Sequence, residues 1–136
     1  MRTDLLVNDF VYRAYFEKFV VLFESHFKRN YIHVRDVSKA FLHCLDKYDL
    51  CKNQIFNVGL SSANISKLEL CEKIKKKLDF EKIKNEIKKD PDQRDYIVSN
   101  EKIEKTGFKP DHTLDDGVEE LIRGYSTLKF RKFSNI

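Results

Sequence analysis

His33 and Asp36, three residues apart in "YIHVRD", are the first two side chains whose types could exchange a proton, an imidazole and a carboxylate. A plainer reading competes with catalysis. The β-type run "YIHV" ends at Val34, Asp36 is then placed to cap a helix by accepting backbone N–H bonds, and His33 packs as a strand residue. His43 falls off the apolar face of that helix and is expected to be solvated. Cys44, Cys51 and Cys71 are odd in number, lack a C-x-x-C spacing and have no His placed to complete a zinc site, so they read as structural thiols of a reducing compartment, with no metal.

The elements that position these residues fit within one ordinary domain. The chain has 136 residues, 41% of them hydrophobic and only four Gly and two Pro, which suits a helix-rich chain with a packed core rather than a disordered one. Net charge is +4. Between residues 67 and 89 nine Lys alternate with five acidic side chains, the pattern of a solvated helix face and not of a nucleic-acid patch. The longest apolar run, residues 19–23, is far below the roughly 18–20 residues of a membrane span, and the N-terminus has no signal-peptide pattern. A cytoplasmic location, with no membrane and no nucleic acid as partner, is expected.

Periodicity predicts a helix over residues 5–16, a strand at "FVVLFE", a second strand at "YIHV", and a helix from Asp36 burying Val37, Ala40, Phe41, Cys44, Leu45 and Tyr48. "QIFNVG" reads as a third strand, ending at Gly59 in a conformation other residues avoid. "SKLE" is a capping box at Ser66 that opens a helix with Leu68, Cys71, Ile74 and Leu78 inward. "FEKIKNEI" fits strand or helix equally, "RDYIVS" reads as a strand, and Ser99 is placed to cap the short helix that "GFKP" ends. Thr113 then caps a last helix facing inward through Leu114, Val118, Leu121, Ile122 and Tyr125. Strands alternating with helices make the class α/β.

Taken in order, "DLLVNDFVYRA", "FVVLFE", "RNYIHVRDV", "FNVG", "DPDQRDYIVSNEKIEKTGFKP" and "TLDDGVEEL" resemble the C-terminal half of the extended short-chain dehydrogenases, the NAD-dependent nucleotide-sugar epimerases and dehydratases. The resemblance covers essentially the whole chain, and "RNYIHVRDV" and "RDYIVSNEKIEKTGFKP" are its most specific parts. It implies a single partial domain over residues 1–136, the substrate-binding part of a Rossmann-type fold, with the N-terminal dinucleotide-binding domain missing. By the same resemblance Arg29 contacts the diphosphate of a nucleotide sugar, most readily a uridine diphosphate sugar, since a guanidinium fork gives two charge-assisted bonds to phosphate oxygens. Tyr31 lines the same pocket, Val21 and Phe23 pack on the nucleotide base, Arg94 is a second phosphate-binding group, and Asn8 lies on the sugar or phosphate side. Two departures stand out: "ESHFK" has no glycine where the family has a Gly-rich turn, and Lys88 and Lys89 replace the usual Arg.

Hydride transfer in that family needs a Gly-rich strand–turn–helix for NAD and a Tyr-x-x-x-Lys pair in which Lys favours the Tyr phenolate. The glycines, at 59, 107, 117 and 124, lack the first spacing. The second occurs at Tyr48–Lys52 and Tyr125–Lys129, but Tyr48 is expected on a buried face and Tyr125 near a terminal tail. No catalytic residue and no cofactor is therefore assigned to this chain, NAD being implied only for the full-length family enzyme. Three functions follow: a substrate-binding portion inactive alone, a split enzyme completed by a separate cofactor-domain chain, and a non-catalytic binding or scaffolding module, the last drawing on the tail "LKFRKF". Apolar surface that the family packs against its dinucleotide domain would be left bare, which implies self-association.

Overall fold

In the computed structural model, which describes residues 2–85 and 94–127, backbone and side-chain packing divide the chain into two units. The first is built from the described residues of 1–27, 66–94 and 115–136, the second from 28–65 and 95–114. In chain order the elements are α1 (Leu6–Tyr12), β1 (Phe19–Phe23), β2 (Lys28–Asn30), α2 (Val34–Asp46), α3 (Tyr48–Cys51) and β3 (Asn64–Ser66). They are followed by α4 (Lys67–Lys75), β4 (Glu81–Asn85), α5 (Glu101–Glu104) and α6 (Leu114–Thr127). The lysine pair 88–89 and the tail 128–133 lie outside the described residues.

In the first unit, α1 buries Phe10 and Val11 and then widens into a π-helical turn, Arg13–Glu17, which Lys18 closes in the left-handed region at φ 63°. That turn carries Tyr15 and Phe16, which with Tyr12 surround the Tyr125 ring at centroid distances of 6.4, 5.8 and 5.7 Å. β1 pairs in parallel with β4, Phe19 opposite Glu81, which makes residues 81–85 of the ambiguous "FEKIKNEI" a strand; its last two residues lie outside the described ones. A parallel pair needs a crossover, and α4 supplies it, burying Leu70, Cys71 and Ile74 where the core also holds Val20 and Leu22. The predicted capping box is present: Ser66 Oγ accepts from the Glu69 N–H at 3.1 Å and Glu69 Oε2 accepts from the Ser66 N–H at 2.7 Å, a cap worth about 1 kcal/mol. Leu68 and Leu78 are only half-buried, because Leu70 fills the inward position. α6 faces inward through Val118 and Tyr125, and Lys73–Asp115 and Lys77–Glu119 ion pairs tie it to the α4 side.

The glycine-free turn after β1 closes by putting Glu24 in the left-handed region at φ 45°, with Phe27 N–H donating to the Glu24 carbonyl. A non-glycine residue there costs about 1–2 kcal/mol. The surroundings hold it: Leu68 N–H donates to the Ser25 carbonyl, Lys67 N–H to the Phe27 carbonyl, and the buried Lys67 ammonium to the Phe23 carbonyl at 3.2 Å.

The second unit departs further from periodicity. Its strand is β2, three residues before "YIHV"; Tyr31 continues it only through two bonds, N–H to the Ala63 carbonyl and carbonyl from the Leu60 N–H. α2 starts at Val34, so the cap is His33 and not Asp36: His33 Nδ1 accepts from the Arg35 N–H at 3.2 Å. Asp36, one turn in, is buried and accepts from the N–H groups of Asp111 and His112 at 2.9 and 3.0 Å and faces His112 Nδ1 at 3.2 Å. His43 is not solvated either; it bonds Thr106 Oγ1 at 2.8 Å and meets Phe108 edge-on. Around these, Ala40, Ile103 and Phe108 form the core, with Cys44, Phe56 and Val58 packed on it.

The face that α2 turns to the core also differs from the predicted stripe. Phe41, 71% exposed, faces solvent with Val34, Leu42 and Leu45, and α3 adds Tyr48 and Leu50. Residues 54–58 keep strand-like alternation, Ile55 out and Phe56 and Val58 in, yet no ladder partner is present among the described residues. Residues 94–99 likewise join no ladder among the described residues, and Asn100, not Ser99, stands at the N-cap position of α5, with no side-chain cap bond. Gly59 has no positive φ; the left-handed glycine is Gly107, at φ 94°. What Gly59 provides is closeness. A Cβ there would lie 1.6 Å from Asn30 Oδ1 and 2.9 Å from Asn100 Oδ1, and Asn30 is held by its bond to the Leu60 carbonyl.

Two outcomes are expected from this packing. Gly59→Ala should lower stability by about 1–3 kcal/mol, as overpacking does, seen as an earlier denaturation midpoint; a variant as stable as wild type would show that Asn30 moves aside freely. For Asp36, burial alone raises the carboxyl, but the N–H groups of Asp111 and His112 and the His112 ring outweigh it and hold it below its ordinary value. A lowered folded-state value means stabilisation that is present above about pH 4 and lost as pH falls through the folded value. Thermal melts from pH 7 to 2 should therefore fall more steeply in wild type than in Asp36→Asn, which starts less stable; parallel curves would acquit Asp36 of the acid sensitivity.

Candidate functional site

Arg29 is the inward residue of β2, flanked by the exposed Lys28 and the half-buried Asn30, and is only 7% exposed. Its Nη1 donates to the Lys28 carbonyl at 2.8 Å, and its guanidinium lies over the Tyr96 ring, 5.2 Å from the centroid. The backbone that carries Tyr96 is fastened to the same place. Lys28 N–H donates to Asp95 Oδ1 at 2.7 Å and Tyr96 N–H reaches the Lys28 carbonyl at 3.4 Å.

Tyr31 follows two residues along, and its hydroxyl is buried with no hydrogen-bond partner among the described residues. Burial drives its pKa well above the usual phenol range; the Arg29 charge pulls the other way and the Tyr96 phenol adds to the rise. Tyr31 therefore keeps its proton and offers an O–H donor, not a base. A buried cation beside a neutral O–H is an arrangement for binding an anion's oxygens rather than for moving protons.

Of the other predicted site residues, Val21 and Phe23 lie on the half-exposed face of β1, opposite the buried Val20 and Leu22. Strand alternation thus keeps them out of the first unit's core. Asn8, on α1, donates its amide to the Arg2 carbonyl at 2.6 Å, and its own carbonyl accepts from Tyr125. Arg94 is exposed. The structure brings together Arg29 and Tyr31 in the second unit and Val21 and Phe23 in the first.

Tyr96 is the residue that periodicity missed. Read as one position of a strand in "RDYIVS", nothing in its local pattern says that its ring faces an arginine 67 positions earlier. The two Tyr-x-x-x-Lys spacings are engaged otherwise. Tyr48, the first residue of α3, is 63% exposed, not buried as expected; the Lys52 ammonium lies 5.9 Å from the centre of its ring face and pairs with Asp49 at 2.8 Å. Tyr125 is buried, its hydroxyl donates to the Asn8 carbonyl at 3.1 Å, and burial, with Asp9 and Tyr12 nearby, pushes it up to about 12. His33 and Asp36 are both committed as well, one as a cap and one to the 111–112 backbone.

No family model matches the sequence. Solved structures do match in fold. UDP-glucose 4-epimerase from Thermotoga maritima, crystallised with UDP-glucose, superposes with a TM-score of 0.71 at 23% identity, over 89% of this chain and 39% of that one. RMD from Pseudomonas aeruginosa, complexed with NADPH, gives 0.71 at 16% identity over 94% and 44%. The dTDP-glucose 4,6-dehydratase from Bacillus anthracis, in complex with NAD, gives 0.68 at 21% over 95% and 41%. The chain spans 39 to 44% of the length of these three structures. They are members of the NAD-dependent epimerase/dehydratase family, and this chain has the mixed α/β fold of a part of them.

Proposed function

We propose that the chain is the substrate-binding, C-terminal part of an NAD-dependent nucleotide-sugar epimerase or dehydratase, not catalytic alone, with Arg29 holding the diphosphate. The observation that carries this is the buried Arg29 on β2, followed two residues later by a Tyr31 hydroxyl that is buried with no hydrogen-bond partner among the described residues, a donor that an anionic oxygen could accept from. The uridine nucleotide rests on the epimerase bound to UDP-glucose. Contacts from Asn8, Val21, Phe23 and Arg94 rest on the family resemblance, with Val21 and Phe23 open to contact on their strand face.

NAD, which supplies hydride transfer when bound, does not fit this chain's residues. Gly59 follows an irregular segment and is pressed on by Asn30, Gly107 follows α5, and Gly117 and Gly124 lie within α6. None of them stands in a strand-to-helix turn, so no step is derived through NAD here, and we place that cofactor with a further domain.

The exposed row Val34, Phe41, Leu42, Leu45 and Tyr48 favours a partner for α2, either that dinucleotide-binding domain in the same protein or a separately encoded one. Removed from such a partner, the chain should self-associate; sedimentation showing a monodisperse monomer at high concentration would speak against the lost partner. On the binding side, titration calorimetry with UDP-glucose should give weak binding, and Arg29→Ala should weaken it by about 1.5–3 kcal/mol, as for a bond to a charged group. Unchanged affinity in that variant would remove Arg29 from the site.

A further inference from the structure

We propose that Lys67 is a positioning residue: its ammonium holds the turn that follows β1 and so fixes the strand end at which Phe23 is presented to a nucleotide base. The inference rests on the base-contact reading of Phe23 and adds to it a support that neither the residue pattern nor the comparisons assign. Its geometry starts from the two ends of one turn. Among the described residues the β1–β4 ladder ends with Phe23 opposite Asn85, and the chain then turns through Glu24 to Phe27, whose N–H donates to the Glu24 carbonyl. Lys67 touches both ends. Its Nζ donates to the Phe23 carbonyl at 3.2 Å, its backbone N–H donates to the Phe27 carbonyl at 3.1 Å, and its ammonium lies 5.1 Å from the centre of the Phe27 ring. The Leu68 N–H takes the middle of the turn through the Ser25 carbonyl at 2.9 Å.

The reason for a donor at this oxygen lies in Glu24. A residue with a Cβ is strained in the left-handed region that Glu24 occupies at φ 45°, a region glycine enters freely. The Phe23 carbonyl belongs to the rigid peptide plane between residues 23 and 24, so the orientation of that plane sets ψ of Phe23 and φ of Glu24 together. A donor held on its oxygen restrains both. The anchor is itself fixed: Lys67 is the first residue of α4, directly after the Ser66 cap, and only 3% exposed, so its stem runs through the interior. Strand alternation puts Phe23 and Val21 on the half-exposed face of β1, opposite the buried Val20 and Leu22. Release of the turn therefore displaces Phe23 first, because it is the last residue of the strand and its side chain is not locked in the core.

The test combines amide hydrogen exchange with titration calorimetry against UDP-glucose on the whole chain, for wild type, Lys67→Met, Glu24→Gly, the Lys67→Met/Glu24→Gly double variant and Phe23→Ala. Methionine keeps an unbranched apolar stem and removes the donor; glycine at 24 removes the strain that the donor offsets. Lys67→Met should speed exchange of the Phe27 N–H and bind roughly 2- to 10-fold more weakly, the worth of one hydrogen bond. Glu24→Gly in that background should slow the exchange again and bring affinity back to within roughly 2-fold of wild type, a rescue that a packing role for Lys67 would not produce. Unchanged exchange or wild-type affinity in Lys67→Met, or a double variant no better than Lys67→Met, would overturn the positioning role. If Lys67→Met does not fold, the double variant decides: a folded double variant supports the role and an unfolded one overturns it. Unchanged affinity in Phe23→Ala, or no binding by wild type, would instead sink the base-contact reading beneath it, and exchange at Phe27 would still decide whether Lys67 holds the turn.

Discussion

Backbone polar groups that leave water need partners, and in the second unit side chains supply many of them. Regular pairing there consists of two three-residue strands, β2 and β3, so the segments between them have no ladder to join among the described residues. Asn64 makes good part of this by a pair of hydrogen bonds to Val98, donating Nδ2–H to its carbonyl and accepting its N–H, both at 2.9 Å. Asp95 takes the Lys28 N–H, Asn30 serves the Leu60 carbonyl, and the Lys102 ammonium serves the Ile55 carbonyl. Asp36 does the same for residues 111 and 112. Where the 94–99 segment lies, and so where the Tyr96 ring meets Arg29, depends on these few bonds.

The first unit was largely legible in the sequence for the opposite reason. Its cues are local: the Ser66–Glu69 box, the β-branched run of β1, and the 3.6-residue spacing of α6 all act over a few positions. In the second unit periodicity gave the burial of residues 54–58 correctly and their pairing incorrectly, and it put Phe41, Leu45 and Tyr48 on the wrong side of their helices. Residues 54–58 alternate as a strand would because Phe56 and Val58 pack on the core, not because a neighbour pairs with them. The cap at α2 was misread because "HVRD" holds two acceptors at either end of the first turn. Only the fold shows that the 111–112 backbone claims Asp36 and leaves the cap to His33. For the candidate site, motif order pointed to Arg29 and Tyr31; the contact of Tyr96 with Arg29 spans 67 positions and has no local signature.

α2 carries two unlike faces. Toward the core it is held by polar contacts at both ends, Asp36 at the first turn and His43 near the last, with Ala40 between them. Away from the core it presents Phe41, Leu42 and Leu45 to water. A large apolar side chain gains about 1.5–3 kcal/mol on full burial, so this face stores binding energy that the isolated fold does not collect. The helix can nonetheless persist, since its polar clasps do not involve that face.

Amides used as structural donors also age. Asn64 and Asn30 hold the second unit with side-chain –NH₂ groups, and asparagine belongs to the thermolabile residues. Hydrolysis of the Asn64 amide would keep an acceptor for the Val98 N–H but turn its donor into a negative oxygen facing the Val98 carbonyl. The β1–β4 ladder is made of peptide groups and has no such reaction open to it. The Asn64–Val98 pairing is therefore a thread that water can slowly cut, and the β1–β4 ladder is not.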